Sequence, residues 1–112
     1  MASELTKKQN KRLRQLAGTA YERELSVASK NLLTEFLRWQ KNEIDVFELN
    51  EKIHQFHNCD SRRLYTKYVG MDPRSSVAQA LKEGILDRSE VEDDIYSLVS
   101  NLIEVLSSPV FK

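Results

Sequence analysis

Residues 4–42, ELTKKQNKRLRQLAGTAYERELSVASKNLLTEFLRWQKN, decide the fold. Neither proline nor a glycine pair interrupts them. Gly18 alone weakens the run, by about 1 kcal/mol relative to alanine in a helix interior. At about 100° per residue, Leu13, Ala17, Ala20, Tyr21, Leu25, Ala28, Leu32, Phe36 and Trp39 fall in one broad apolar stripe. The spacing predicts a single helix of about 38 residues, roughly 57 Å long. A compact chain of this size has a radius of gyration of only about 13 Å, so the helix must bend, fray or project. Its first turns are nearly devoid of apolar side chains, Leu5 excepted. Residues 1–15 therefore read as a basic, frayed or projecting helical arm, ahead of a single helical domain at 16–112. A projecting helix commonly finds a partner, and a homodimer through this helix is the natural expectation.

Downstream, the stop and start signals are all helical. Asp45 caps a second helix with Glu48 as its capping-box acceptor and Val46, Leu49, Ile53 and Phe56 inside. His57-Asn58-Cys59 reads as a turn, after which Asp60 caps a third helix carrying Leu64, Tyr65 and Tyr68 and stopping near Gly70. Asp72-Pro73 is a cap followed by proline at the first helical position. That fourth helix carries Val77, Ala80 and Leu81 and ends at Gly84, a C′ glycine. Ser89-Glu90-Val91-Glu92 has capping-box form and opens a fifth helix striped with Val91, Ile95, Leu98, Leu102 and Leu106, halted by Pro109. No strand period occurs. The expected fold is all-α, a single-domain bundle of about five helices in which four short ones pack on one long one.

Composition supports that class. Apolar residues make up 40% of the 112, enough for one modest core, while three glycines and two prolines argue against a turn-rich β-sandwich. A single cysteine excludes an internal disulfide framework and a cysteine-based zinc knuckle. No apolar run approaches the roughly 20 residues of a membrane span. The N-terminal residues lack a secretory h-region, so a reducing cytoplasm is the expected compartment.

The 17 basic and 17 acidic side chains cancel in sum but not along the chain. Residues 1–41 carry a balance of +5, residues 42–70 of −1 and residues 71–112 of −4. Lys7, Lys8, Lys11, Arg12 and Arg14 crowd into eight positions, and such a cluster can bind nucleic acid. The competing reading is a solvated helix end, or one attracted to the acidic C-terminal helix. It is favoured because no domain-wide positive excess or nucleic-acid motif accompanies the cluster.

Both histidines lie between residues 51 and 65, with Cys59 and two arginines. His54 and His57 are three residues apart, and with Glu51, Cys59 or Glu24 they form a candidate metal-ligand set. The His-Glu-x-x-His signature is absent, so the metal depends on carboxylates from elsewhere. The structural alternative has His57 and Asn58 satisfying helix-end carbonyls. Glu24 falls within the apolar stripe among small alanines, where a partly buried carboxylate needs a cationic or hydrogen-bonding partner. His54, His57, Arg62 and Arg14 are the expected partners, and Glu24, His54, His57, Arg62 and Tyr65 form the candidate polar or ligand cluster. Arg62 and Arg63 could also hold an anion at the start of the third helix, although Arg63 shares an outer face with Lys67 and suits a surface ion pair. Cys59 has no second cysteine to resolve a disulfide and is not read as a nucleophile. No phosphate loop, nucleophile elbow or paired catalytic carboxylate motif is present, and no cofactor is expected.

The pattern Ile53-His54-x-Phe56-His57-x-x-x-Ser61-Arg62-x-Leu64-Tyr65-x-x-Tyr68 resembles a group of small bacterial proteins of uncharacterised function. Val77-Ala78-x-Ala80-Leu81-x-x-Gly84-x-Leu86 is similar to the group's next segment. The resemblance spans roughly residues 16–106 and implies an all-helical single domain, with no activity, cofactor or site to carry over. The expectation is a small cytoplasmic helical interaction or regulatory protein. A metal-binding protein or minor enzyme using Glu24, His54 and His57 is the alternative, and nucleic-acid binding through residues 7–14 is the weaker one.

Overall fold

A computed structural model describes residues 5–107, and every regular element among them is helical. Helix α1 (Lys7–Gln40) runs for 34 residues, about 51 Å at 1.5 Å per residue. Thr6 caps it, accepting from the Gln9 N–H at 3.0 Å while the Gln9 side chain accepts from the Thr6 N–H at 3.0 Å. It ends where Asn42 takes the left-handed conformation at φ 63°. The Asn42 and Glu43 N–H groups then return to the Trp39 and Arg38 carbonyls, a Schellman closure. The expected start at Glu4 and the expected stop at Pro109 lie outside the described residues.

Asp45 and Glu48 form the expected reciprocal cap of α2 (Val46–Gln55). The expected turn at His57-Asn58-Cys59 is not a break. A π-helical turn (Phe56–Ser61) joins α2 directly to α3 (Arg62–Tyr68), giving one rod over 46–68 and four rods in place of five. Gln55, Phe56, Ser61 and Arg62 all keep right-handed helical dihedrals. Asn58, Cys59 and Asp60 favour turns only by offering side-chain competition to the helix, and no proline or glycine enforces the stop. Asp60 consequently caps nothing, and no helix-end carbonyl is left for His57 and Asn58 to satisfy.

Helix α4 (Pro73–Lys82) starts at the Asp72 cap and closes at Gly84, φ 78°, with Ile85 and Gly84 donating to Ala80 and Leu81. Two overlapping cap signals compete in the next linker. Asp87 and Glu90 win it, closing a 3-10 turn (Arg88–Glu90), and the Ser89 hydroxyl donates to Asp87. Val91 is then extended and buried, so α5 (Asp93–Ser107) begins three residues later than a cap at Ser89 predicts.

The core joins Leu13, Leu16, Ala17 and Ala20 of α1 to Leu64 and Tyr68, Val77, Ala78 and Ala80, and then Leu86, Val91, Ile95 and Val99. Alanines on α1 and α4 let those two rods approach closely. The segment expected to be a loose arm thus contributes Leu13, 1% exposed, to the core. What projects is the opposite end, where α1 beyond Ala28 runs alongside α2 with Ile44 and Leu49 as the buried apolar residues of the pair. The molecule is accordingly elongated, 59 × 32 × 23 Å with a radius of gyration of 17.6 Å. None of the described helices is long and apolar enough to cross a membrane.

Candidate functional site

Two features stand out chemically, one inside the body and one on the projecting hairpin. The internal one centres on Glu24, partly buried as its position among alanines requires. Its partner is not a histidine or Arg62. Lys67 Nζ donates to Glu24 at 2.7 Å and to Glu83 at 2.5 Å, and the Tyr68 hydroxyl donates to Glu24 at 2.5 Å. Lys67 is 8% exposed and Tyr68 stacks on Tyr21 with centroids 5.4 Å apart. The buried Ser76 hydroxyl donates to the Lys67 carbonyl at 2.7 Å. One lysine therefore ties α1, α3 and α4 together.

The protonation states follow from these contacts. Burial works against the Lys67 ammonium, but hydrogen bonds to Glu24 and Glu83 outweigh it and raise its pKa. Burial and the bond to Glu24 push the Tyr68 phenol upward as well. At Glu83 burial again opposes ionisation, and the bonds from Lys67 and Gln79 hold the carboxyl low. A nucleophilic lysine or a general base needs the opposite shift. The network is a charged structural pin.

A second ion pair fastens the 3-10 turn to α1. Arg23 donates to Glu90 at 2.5 Å and 2.8 Å and to the Ile85 carbonyl at 2.9 Å. Hydrogen bonds from Arg23 and from the Asp87 N–H hold the Glu90 carboxyl down at about 2, below its ordinary 4.5. A depressed carboxylate pKa contributes stability that is complete above about 4.5 and is lost as pH falls toward 2. Thermal melts of the wild type should therefore drop across that window. Glu90→Gln should melt lower at pH 7 and show a shallower loss between pH 5 and pH 2; an unchanged profile would dissociate Glu90 from the acid sensitivity.

The remaining expected site residues do not assemble. Glu51, His54, His57, Cys59, Arg62 and Arg63 are exposed, and Tyr65 is 57% exposed. Among the described residues no three His, Cys, Asp or Glu side chains come within reach of one metal, and Glu24 is taken by Lys67 and Tyr68. The cause is the uninterrupted rod, which keeps the histidines on its solvent side. The basic cluster is also partly engaged. Arg12 bonds Glu92 at 3.0 Å and the Glu90 carbonyl at 3.1 Å, and Gln9 bonds Asp94 at 3.3 Å. This is the attraction to the acidic C-terminal helix that the charge distribution suggests.

The external feature is apolar. From Leu25 to Gln40, one arc of α1 about 160° wide at 100° per residue holds Leu25, Leu32, Leu33, Phe36, Leu37 and Trp39. Leu25 packs on the core and Leu32 lines the groove with α2, which leaves the other four open. Only Ser26, Ser29 and Gln40 share that arc, and none of them is charged. Leu33 is 55% and Leu37 45% exposed, with Phe36 and Trp39 near 40%. Val46 and Phe47, the latter 81% exposed, add to the apolar surface at the tip. The α2 rod lies against the adjoining side of α1, where Ala28, Asn31, Leu32 and Glu35 face Lys52, Gln55 and Phe56 across a shallow groove.

Comparison with family models, curated proteins and solved structures gives no match. The site's meaning rests on its own chemistry.

The apolar stripe predicted from the sequence includes Leu32, Phe36 and Trp39 without separating covered positions from open ones. Lys67, expected on an outer face beside Arg63, is instead buried and bonded to Glu24 and Glu83. The signal for Lys67 is its spacing of three from Leu64 on the face that Tyr68 also shares.

Proposed function

We propose that this protein is a small cytoplasmic helical interaction module whose working surface is the uncharged outer arc of the α1–α2 hairpin. The observation that carries this reading is the row Leu33, Phe36, Leu37 and Trp39, left open on a rod that projects from the body. Contiguous exposed apolar surface of this kind marks protein contact sites, whereas scattered exposed leucines do not. The internal polar network has protonation states that suit a structural role. The free, exposed Cys59 suits a reducing compartment.

Leu33→Glu/Leu37→Glu tests the surface. At protein concentrations too low for association, the double variant should stay within about 0.5 kcal/mol of the wild-type stability, because it removes no core contact. A benzophenone amino acid placed at position 37 should give a discrete photo-cross-linked adduct in cell extract, and one at position 104 on α5 should give none. Unfolding of the double variant would return the arc to the core. Equal labelling from both positions would overturn the docking reading.

A further inference from the structure

We propose that the occupant of this arc is a second copy of the chain, docked antiparallel so that Glu22 of each α1 lies beside the partner's Lys41. The inference rests on the docking reading above and names the partner.

Spacing is the first ground. Ser26, Ser29, Leu33, Phe36 and Gln40, all exposed and flanked by Leu37 and Trp39, recur at intervals of three and four, the period by which one helix seam packs on another. Small Ser29 sits near the middle, where the two rods approach most closely.

Charge is the second ground, and it sets the direction. On the inner side of this half of α1, every charge is satisfied within the chain: Arg23 by Glu90, Glu24 by Lys67, and Glu35 and Arg38 by each other. Glu22, Lys30 and Lys41 border the apolar arc and make no ion pair among the described residues. Glu22 and Lys41 lie at opposite ends of the arc, about 28 Å apart along the helix at 1.5 Å per residue. A parallel pair would bring Glu22 against its own copy in the seam, which is repulsive. An antiparallel pair brings unlike charges together at both ends through one two-fold axis.

Access is the third ground. The same side of α1 stays open past the arc toward the N-terminus. Lys11 and Gly18 are exposed there, and a Cβ built on Gly18 would meet nothing within 4 Å. The tip of a partner's hairpin can lie beside Glu22 without striking the body. A two-helix hairpin paired with its copy completes a four-helix contact, which is how an exposed apolar face of this kind becomes buried.

Sedimentation equilibrium of the full chain tests the proposal. The wild type should be a reversible dimer, and Glu22→Lys or Lys41→Glu alone should weaken it about tenfold at low salt. Combining the two reversals should restore the wild-type constant, and Leu33→Glu/Leu37→Glu should leave a monomer. The adduct from position 37 should have twice the chain's mass. A wild type that stays monomeric to about 500 µM overturns self-pairing. If position 37 still gives an adduct of another mass, the docking surface stands without it. A monomer with no adduct overturns both. A dimer indifferent to the leucine substitutions, or one that the double reversal fails to restore, overturns the antiparallel pairing.

Discussion

Lys67→Ala is expected to cost about 3 kcal/mol of unfolding free energy, the lower end of the cost of removing one partner from a buried ion pair. Glu24 has a side chain 14% exposed and loses its counter-ion, keeping only the Tyr68 hydroxyl. Glu83, 37% exposed, can recover water, which keeps the cost from going higher. The vacated space also leaves two carboxylates facing one another without a cation. Adding Glu24→Gln to Lys67→Ala should recover about 1 kcal/mol, since a neutral amide is easier to bury and still accepts from Tyr68. Urea unfolding of the three variants at pH 7 measures both numbers. A loss below about 1 kcal/mol for Lys67→Ala would show the pin to be an ordinary surface ion pair.

Leu13→Ala should cost about 3 kcal/mol, as leucine truncations in well-packed cores do, and lower the melting temperature by about 15 °C. Leu13 is 1% exposed and packs in the cluster that includes Leu64, Val77 and Ile95. Leu33→Ala, on the same helix but outside that cluster, should fall within about 0.5 kcal/mol of wild type. The contrast separates the two ends of α1. A Leu13→Ala variant that melts like the wild type would restore residues 7–15 to the status of a peripheral arm.

Much of the fold is legible in local signals because those signals are local in cause. The Asp45–Glu48 and Asp72-Pro73 caps and the Gly84 closure each depend on a few neighbouring residues, and each forms as read. Glu24 is legible as a buried carboxylate for a similar reason, since its alanine neighbours belong to its own helix. Its partner is not, because Lys67 comes from α3 only once the rod over 46–68 is continuous. The helix break expected at residues 57–59 breaks no backbone rule that a turn would need broken, so tertiary packing could carry the helix through. The start of α5 turns on two overlapping caps. Glu90 gains an ion pair with Arg23 that Glu92 does not, and nothing in the linker itself reveals it. The hairpin arc escapes a periodicity argument altogether, because an apolar stripe looks the same whether or not the chain supplies something to cover it.

The fastening of α1 at Glu24 has a mechanical side. Past that point the helix runs 16 residues to Gln40, about 24 Å of stiff rod. Glu24 is a fulcrum and the hairpin tip is the end of a lever. A tilt of about 5° at the fulcrum moves the tip by about 2 Å over that length. Whatever grips the tip therefore exerts torque on a lysine held between two carboxylates, and the stiffness of that grip sets how far the tip can swing.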